Sequence, residues 1–428
     1  MLGIVVGAAG LWMTEAMAPF ATAVLVIVAQ IYLLGMPGGP LGLGATGPLD
    51  SYQIFLIPLA SPVLVLFFGG FVLALAVRKY GLDQRLAKAL LRPFGDRPAT
   101  LLLGIILITG VFSMIMSNTA TTALMIAIIA PLLQGRAKDD NFSRALLLGV
   151  PFSANLGGIG TIIGSPPNAI AATALLETGH GVTFAKWMAL GIPVALMLLF
   201  VLWGILLLLY RPSGERRQLE YPEVQEAGTA VAVVAVVFGL TVALWLLEPL
   251  HGVPAALVAL IPIAIFAPLG VTSVDDLRLL NWDVLILIGG GLSLAVGMQR
   301  SGLSLFLVEM IPFGRLALLP LMAAFALATV VFSNLMSSTA VANLLVPIAV
   351  GVATWSPIVG ALLVAFSAAL GMSLPVSTPP NAIAYASRRL ELNDMALTGS
   401  IVTVFGFAIV LAAFFLVIRY TEFFNPMR

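Results

Sequence analysis

The chain has 428 residues, of which 61% are hydrophobic and only 9% are charged, and its formal net charge is +1. So little polar surface excludes a water-soluble globular protein, and so small a net charge excludes a basic surface for nucleic acid. Because the chain has no cysteine and its two histidines, His180 and His251, lie far apart, we expect no thiolate or histidine metal site.

Apolar segments of roughly 17 to 25 residues, long enough to cross the hydrocarbon core as helices, recur along the chain. The first half contains segments at 2–13, 18–35, 52–77, 98–134, 143–177 and 184–210. The second half contains segments at 230–249, 253–270, 281–298, 316–356, 358–388 and 396–420. No segment has the alternating pattern of a membrane β-barrel, so the sequence predicts an all-α polytopic protein in the lipid bilayer.

Several sequence landmarks occur twice and predict two structural repeats. A Leu-Trp-x-x-Glu motif at 11–15 recurs at 244–248, and an apolar run that ends at Gly70 has a counterpart that ends at Gly291. The separations between matching positions are 233, 221, 220 and 213 residues, and they drift slowly, as loops of unequal length would make them. We therefore expect a first repeat, a linker and a second repeat at 1–210, 211–229 and 230–428.

The first apolar segment, 2–13, is shorter than its counterpart at 230–249. We therefore expect that a helix, or part of one, is missing before Met1.

The two repeats are expected to have opposite orientations in the membrane. Each repeat crosses five times if the segments around its Ser/Thr cluster are re-entrant hairpins, and seven times if they span, and both counts are odd. The loop 78–97 carries six Lys or Arg, whereas its counterpart 299–315 carries two. The positive-inside bias then places loop 78–97 and the linker 211–229 in the cytoplasm, for a protein of the plasma (inner) membrane.

Two polar clusters lie at matching places of the two halves. The stretch from Phe112 to Ala120 reads Phe-Ser-Met-Ile-Met-Ser-Asn-Thr-Ala, and the stretch from Phe332 to Ala340 reads Phe-Ser-Asn-Leu-Met-Ser-Ser-Thr-Ala. Ser, Asn and Thr favour helix N-caps over helix interiors, so each cluster predicts a break between two helices. Oxygens at such a break suit a hard cation such as Na⁺, and the following helix N-terminus suits an anion.

Each cluster is followed by a Pro-Pro-Asn motif in the middle of a long apolar segment. Proline interrupts a helix and is well placed where a helix restarts. We expect helix breaks at Pro166, Pro167, Asn168, Pro380 and Asn381. Small polar residues at helix crossings can also serve only as packing contacts, but two matched pairs of breaks favour a binding site lined by irregular backbone.

The motifs Ser117-Asn118-Thr119, Ser165-Pro166-Pro167-Asn168 and Thr378-Pro379-Pro380-Asn381 resemble those of the divalent anion:sodium symporter (DASS) family, which carries dicarboxylates, citrate or sulfate. The resemblance extends from Trp12 to the last apolar segment. It implies two inverted-topology repeats, each with a re-entrant hairpin and a broken transmembrane helix, and an elevator-type transporter that forms a homodimer. Its scaffold would draw on 2–35 and 230–270, and its transport domain on 52–177 and 281–388.

The same resemblance implies which residues bind ligands. The first sodium site would consist of Ser113, Ser117, Asn118 and Gly164, and the second of Ser333, Ser337, Ser338 and Ser377. The anionic substrate would contact Asn118, Thr119, Ser165, Ser338, Thr339, Thr378 and Pro379. One departure is Ser338, because this position of the family's second motif usually holds Asn.

The resemblance implies secondary transport of a small divalent or trivalent anion, such as succinate, malate, fumarate, citrate or sulfate, with Na⁺ as coupling ion and no organic cofactor. No Lys, Arg or His lies in the four breaks, so bound cations would supply the positive charge that a dehydrated dianion needs. Three alternatives stay open: a Na⁺-independent dicarboxylate exchanger of the same family, a cation/proton antiporter, and an intramembrane enzyme. The antiporter would need an acid within a break, and the enzyme a catalytic motif, and neither is found.

Overall fold

A computed structural model describes residues 1–14, 16–36, 52–137, 140–211, 228–303, 306, 318–352 and 356–420. Every regular element in these ranges is a helix, as the sequence predicts. The first half contains α1 (Leu2–Thr14), α2 (Pro19–Gln30), α3 (Pro62–Lys79), α4 (Leu82–Leu91), α5 (Pro98–Ser113), α6 (Asn118–Leu133), α7 (Asn141–Gly157), α8 (Pro166–Glu177) and α9 (Phe184–Tyr210). Glu15 and most of the linker 211–229 lie outside the described residues.

The second half begins with α10 (Thr229–Leu246), α11 (Glu248–His251), α12 (Ala255–Val258), α13 (Leu260–Phe266), α14 (Val274–Arg278) and α15 (Trp282–Arg300). It continues with α16 (Leu318–Leu335), α17 (Ser338–Val352), α18 (Pro357–Ala368), α19 (Pro379–Tyr385) and α20 (Leu392–Tyr420). Within the described ranges, α3, α9, α10, α15 and α20 are long and apolar enough to cross a membrane unaided. The prediction of a polytopic membrane protein is therefore confirmed.

The two polar clusters each form the turn of a helical hairpin. The first hairpin pairs α5 with α6, of 16 residues each, and the second pairs α16 with α17, of 18 and 15 residues. Three of these four helices are shorter than a helix that spans a membrane usually is. The lengths favour re-entrant hairpins, and thus five crossings for each half.

The two Pro-Pro-Asn motifs each start a half-helix. After α7 the backbone passes through two short 3₁₀ turns and an extended Ser165 (φ −152°, ψ 150°), and α8 then begins at Pro166. In the second half Thr378 is extended in the same way (φ −145°, ψ 147°), and α19 begins at Pro379. Proline at the first helical position sets φ for the restart, and its missing N–H is not needed there. The predicted helix breaks are present.

Helices α3 and α15, which the repeat makes equivalent, run antiparallel. Lys79 at the end of α3 forms an ion pair with Asp276, which lies just before α15 (2.5 Å), and Phe68 contacts Trp282 at the start of α15 (5.6 Å between ring centroids). A Cβ added at Gly289, farther along α15, would lie 3.5 Å from Leu64 near the start of α3. An inverted repeat requires this arrangement.

Each of these two helices also packs closely on a helix of the opposite repeat. A Cβ at Gly69 of α3 would lie 2.0 Å from the carbonyl oxygen of Ala259, between α12 and α13. A Cβ at Gly290 of α15 would lie 2.4 Å from the Cβ of Ala23 in α2. The two halves of the chain thus pack closely at Gly69 and Gly290, the glycines that the predicted repeat aligns. The division into scaffold and transport domain stays a prediction.

Glu248 has a structural role at the start of α9. Its carboxylate accepts a hydrogen bond from the backbone N–H of Phe184 at the start of α9 (3.0 Å). The acidic side chain therefore binds one of the free N–H groups of that helix terminus.

Candidate functional site

A cavity of about 610 Å³ lies where both hairpin turns and both helix breaks meet. A cavity of this size is typical of sites for small molecules. Most of the residues that the sequence singled out line it: Ser117, Asn118, Thr119, Gly164, Ser165, Pro166, Pro167, Ser337, Ser338, Thr339, Ser377, Thr378, Pro379 and Pro380. The structure thus brings together residues that are more than 200 positions apart in the chain.

Four of the predicted residues do not line this cavity. Ser113, Asn168, Ser333 and Asn381 are all fully buried. Two of them belong to the predicted sodium sites and two to the helix breaks, and hydrogen bonds explain the positions of all but Ser333.

The two buried asparagines hold the helix breaks in place. The Nδ2 group of Asn168 donates to the carbonyls of Gly158 (2.8 Å) and Thr161 (2.7 Å). The Nδ2 group of Asn381 donates to the carbonyls of Met372 (2.8 Å) and Leu374 (3.0 Å). In each half the asparagine side chain therefore binds carbonyls that lost their helical partners at the break.

Several oxygen atoms with few protons converge in the first half. The Ser113 hydroxyl lies 2.6 Å from the Asn118 Oδ1 and 2.7 Å from the carbonyl oxygen of Ala154, although its one proton can be donated to only one of them. A Cβ at Gly158 would lie 2.9 Å from both the Asn118 Oδ1 and the Gly164 carbonyl oxygen. Oxygens so crowded fit a small hard cation. Ser113, Asn118 and Gly164 belong to the predicted first sodium site, whereas the Ala154 carbonyl was not predicted and the Ser117 hydroxyl caps α6 by accepting from the N–H of Ala120.

The second half has the same outline with one contact missing. Ser333 corresponds to Ser113, but its buried hydroxyl has no hydrogen-bond partner in the described part of the chain. Ser338 takes the position that Asn118 has in the first half, and its side chain is shorter than that of Asn118, which contacts Ser113. Ser377 is already engaged, because its hydroxyl donates to the Asn334 carbonyl (3.1 Å) and accepts from the N–H of Leu374 (3.2 Å). The donor set of the predicted second site is therefore less complete.

The electrostatics of the wall favour a site that holds cations and an anion together. Among the described residues that line the cavity, Asp283 is the only charged one. Three helices of 12 or more residues, α6, α8 and α17, begin at the wall and direct their positive ends toward it. These partial charges favour an anion, but the described residues of the wall supply no full positive charge.

A basic residue lies in a neighbouring cavity. This smaller space, of about 40 Å³, is lined by Arg78 and shares Phe71, Ser117 and Asn281 with the main cavity. Arg78 belongs to the loop that the charge pattern places in the cytoplasm. The cavity therefore lies next to the basic end of α3.

The sequence motifs missed two polar or aromatic contributions to the wall. Asn155 is a single asparagine in an apolar stretch without a counterpart in the second repeat, so a search for repeated motifs could not find it. Phe67 and Phe71 precede and follow the glycine pair of α3 and look like ordinary core residues in the sequence. Asp283 also lines the cavity, and it belongs to none of the repeated motifs.

Comparison with known proteins gives consistent matches over most of the chain. A family model described as Citrate transporter (CitMHS) matches residues 9–365. The chain is 32% identical over 414 residues to an uncharacterized transporter of Haemophilus influenzae, which covers 91% of this chain and 85% of that protein. It is 30% identical over 444 residues to the sodium-dependent dicarboxylate transporter SdcS of Staphylococcus aureus, with 93% and 82% covered.

Two solved structures share the fold at low sequence identity. The YdaH transporter of Alcanivorax borkumensis superimposes with a TM-score of 0.63 at 13% identity, over 96% of this chain and 100% of that one. The efflux pump MtrF of Neisseria gonorrhoeae gives a TM-score of 0.61 at 12% identity, over 96% and 97%. These two similarities concern the fold alone.

Proposed function

Because this chain belongs to the citrate transporter family and, as its motifs predicted, to the divalent anion:sodium symporters, we propose that it couples the uptake of a small dicarboxylate to Na⁺. Members of this family are secondary transporters and not enzymes. The favoured substrates are succinate, malate and fumarate, with citrate and sulfate as further candidates. The name of the Staphylococcus aureus relative supports both the substrate class and the coupling ion.

The observation that carries this proposal is the charge of the cavity wall. Its one charged residue, within the described part of the chain, is an acid, Asp283. A dianion that loses its water there needs compensating positive charge. Sodium ions bound by Ser113, Ser117, Asn118 and Gly164, and by Ser333, Ser337, Ser338 and Ser377, would provide it. Empty sodium sites would then leave the substrate site weak, which couples the two fluxes.

The transport cycle that fits this arrangement is an elevator movement in a homodimer within the plasma membrane. The cavity contains both hairpin turns and both helix breaks, so the whole site can move as one body. In this proposal the moving unit, within 52–177 and 281–388, contains the hairpins and broken helices, and the scaffold draws on 2–35 and 230–270.

Two other transport modes make different predictions. A Na⁺-independent exchanger would use the same cavity but would need dicarboxylate on both sides of the membrane. A cation/proton antiporter is favoured only by Asp283, a carboxylate at the wall that could exchange a proton. Asp283 lies at the start of α15 and not within a helix break, so this mode is the weaker candidate.

Transport in proteoliposomes tests the proposal. We expect labelled succinate to enter under an inward Na⁺ gradient and to stop entering when K⁺ replaces Na⁺. Entry that ignores Na⁺ but requires internal succinate would identify an exchanger. Movement of Na⁺ against protons without any anion would identify an antiporter, and either result would overturn the proposed symport.

A further inference from the structure

The two ends of the cavity are held differently, although the repeat makes them equivalent. Thr378 and Ser165 precede the restarted helices α19 and α8, and both line the cavity. Each is followed three positions later by a buried asparagine, Asn381 or Asn168. The difference arises from a fifth residue, Asn155.

Asn155 connects the first repeat to the second at the Thr378 end. Its Nδ2 group lies 3.1 Å from the Thr378 hydroxyl oxygen and 3.4 Å from the Asn381 Oδ1. The side chain is buried, and it lines the cavity from α7. It therefore joins the end of one broken helix to the restart of the other.

The surrounding hydrogen bonds fix the orientation of this amide. Asn381 uses its Nδ2 group for the carbonyls of Met372 and Leu374, so it presents its oxygen to Asn155. An oxygen needs a donor opposite it, and Asn155 must therefore present its NH₂ group to both neighbours. The amide cannot be reversed without placing two oxygens against each other.

This orientation determines what the Thr378 hydroxyl can do. Its oxygen accepts from the Asn155 Nδ2 at 3.1 Å and from the Asn381 backbone N–H at 3.4 Å. With both lone pairs engaged, the hydroxyl can act only as a donor. Because Thr378 lines the cavity, that donor is available to an anion.

The opposite end lacks this control. The residue that lies 213 positions after Asn155, the separation that relates Ser165 to Thr378, is Ala368. In the described structure the Ser165 hydroxyl and the Asn168 Oδ1 are both buried without a hydrogen-bond partner. The Ser165 hydroxyl is thus free to donate or to accept.

We propose that Asn155 is a positioning residue that makes the Thr378 hydroxyl an obligatory donor, so that one carboxylate of the substrate is held at the Thr378 end of the cavity. This rests on the proposed function, since it concerns how the same cavity orients a dicarboxylate. The Ser165 end accepts the other half of the molecule with a hydroxyl that can adapt to an acceptor, a donor or a cation.

Two substitutions at Asn155 separate this role from simple packing. Asn155→Ala removes the hydrogen bonds to Thr378 and Asn381 and lets the Thr378 hydroxyl rotate, so we expect the KM for succinate to rise about fivefold with Vmax little changed. Asn155→Asp keeps the size of the side chain but accepts the Thr378 proton and adds negative charge. We expect its KM to rise by roughly a further tenfold.

The order of the two variants is read together with the effect of Asn155→Ala in the Thr378→Val background, because the charge of Asp also repels a dianion directly. A side chain that only fills space would be replaced better by Asp than by Ala, so an Asp variant with a KM equal to or below that of the Ala variant overturns the proposal. Ser367→Ala is the matched control, because it removes a buried hydroxyl without a described partner from the equivalent broken helix, away from the cavity. Its KM should equal that of the wild type.

The experiment also works when a variant does not fold or when the substrate is another anion. If the Asn155→Asp protein cannot be incorporated into liposomes, Asn155→Ala is made both in the wild type and in the Thr378→Val variant. In the Thr378→Val variant it should not change the KM further. If the wild type carries none of succinate, citrate and sulfate, the proposed function fails. The hydrogen bond between Asn155 and Thr378 is then tested by unfolding temperatures, measured for Asn155→Ala, Thr378→Val and the double variant. If the double variant loses the sum of the two single losses, the assigned hydrogen bond is wrong.

Discussion

Asn118 is the residue on which the predicted anion and cation sites depend together. Its Oδ1 lies 2.6 Å from the Ser113 hydroxyl, and its side chain lines the cavity. We expect Asn118→Ala to reduce succinate uptake by roughly a hundredfold or more, because a cation ligand and an anion donor are lost at once. The variant should still reach the membrane and elute as a folded protein on size exclusion. Uptake at the wild-type rate would remove Asn118 from the site.

Ser338 offers the opposite experiment, in which a missing contact is restored. Ser338→Asn should give the buried Ser333 hydroxyl the partner that Ser113 finds in Asn118. We expect a several-fold lower half-saturating Na⁺ concentration for uptake, as one added oxygen ligand would produce. The reverse variant in the first half, Asn118→Ser, shortens the equivalent side chain and should raise the half-saturating Na⁺ concentration. If the sodium titration of Ser338→Asn matches that of the wild type, position 338 does not contribute to a sodium site.

Single residues could be predicted from the sequence only where they recur. Ser117, Ser165 and Thr378 were identified because each belongs to a motif with a partner in the other half. Asn155 contributes as much to the cavity, but it has no partner, and one asparagine in an apolar helix carries no signal of its own. Its role depends on contacts across the two repeats, which sequence spacing does not reveal.

At the scale of elements, the glycines of α3 and α15 set how closely helices approach. Adding a methyl group at Gly69 places it 2.0 Å from a backbone oxygen of Ala259, whereas at Gly290 the nearest atom is the Ala23 side chain at 2.4 Å. We expect Gly69→Ala and Gly290→Ala each to cost about 1–3 kcal/mol, visible as lower unfolding temperatures in detergent. Ala23→Gly should partly rescue Gly290→Ala.

The same rescue should fail at the other interface. Ala259→Gly leaves the obstructing backbone oxygen in place, so the double variant with Gly69→Ala should remain as unstable as the single one. Gly252→Ala is not a suitable control because its φ of +69° is strained for other residues. Gly239→Ala is suitable, since nothing lies within 4 Å of the added atom. Equal rescue at both interfaces would contradict the distinction between side-chain and backbone contact.

Helix α4, in the basic loop that follows α3, contains a buried acid. Asp83 is only 1% exposed, and although its Oδ1 accepts the N–H of Gln84 (2.8 Å), its Oδ2 has no described partner. Burial raises the pKa of Asp83 to about 6, against the lowering effects of the Gln84 hydrogen bond and the Arg78 charge. A raised carboxyl pKa means that its stabilising contribution is complete below the unfolded pKa, and is lost as the pH rises through about 6.

Asp83→Asn should therefore stabilise the protein at neutral pH. The neutral amide keeps an acceptor for Gln84, and we expect a gain of up to about 3 kcal/mol at pH 8 that disappears near pH 4. The measurement is the difference in unfolding temperature between variant and wild type from pH 4.5 to 8. The difference isolates Asp83, because Asp140 and Asp276, whose pKa values are lowered, are present in both proteins. A difference that does not change with pH would contradict this account.

The ends of helices were predicted well where a recognised proline motif sets them, and less well where the sequence analysis had no repeated motif to follow. The segments 143–177 and 358–388 each contain a break at the predicted Pro-Pro-Asn motif, because proline imposes its own backbone angles. By contrast, the division of the segment 253–270 into α12 and α13 around Ala259 was not predicted, although Pro262 follows three residues later and has no N–H to donate to the carbonyl of Val258. The close approach of Gly69 to Ala259 is a tertiary contact that the local sequence does not encode.

At the scale of the whole molecule, we propose that inversion of the two halves accounts for one cavity that is reached by both hairpins. Helices α3 and α15 run antiparallel, and in inverted halves the two hairpin turns would enter from opposite faces and meet near the middle. Each repeat alone would present a polar break to lipid, where unpaired backbone groups are costly. Together the two repeats enclose both breaks, which explains why both are tolerated in so apolar a chain.

The orientation of the chain can be tested with cysteines, because the native sequence contains none. Arg92 is exposed in the basic loop that we expect in the cytoplasm, and His251 is exposed after α10. The broken helix α7–α8 and the helices α9 and α10 lie between them, which is three crossings. An odd number of crossings requires that the two positions face opposite sides.

We therefore expect a membrane-impermeant maleimide to label His251→Cys in intact cells, and Arg92→Cys only after permeabilisation. The cysteine-free wild type gives the background, and uptake of succinate by each variant shows that it is folded and inserted. The reverse pattern would invert the assigned orientation while leaving the fold unchanged. Labelling of both positions from one side would mean an even number of crossings between them, and the assignment of α7–α8, α9 and α10 as three crossings would then be wrong.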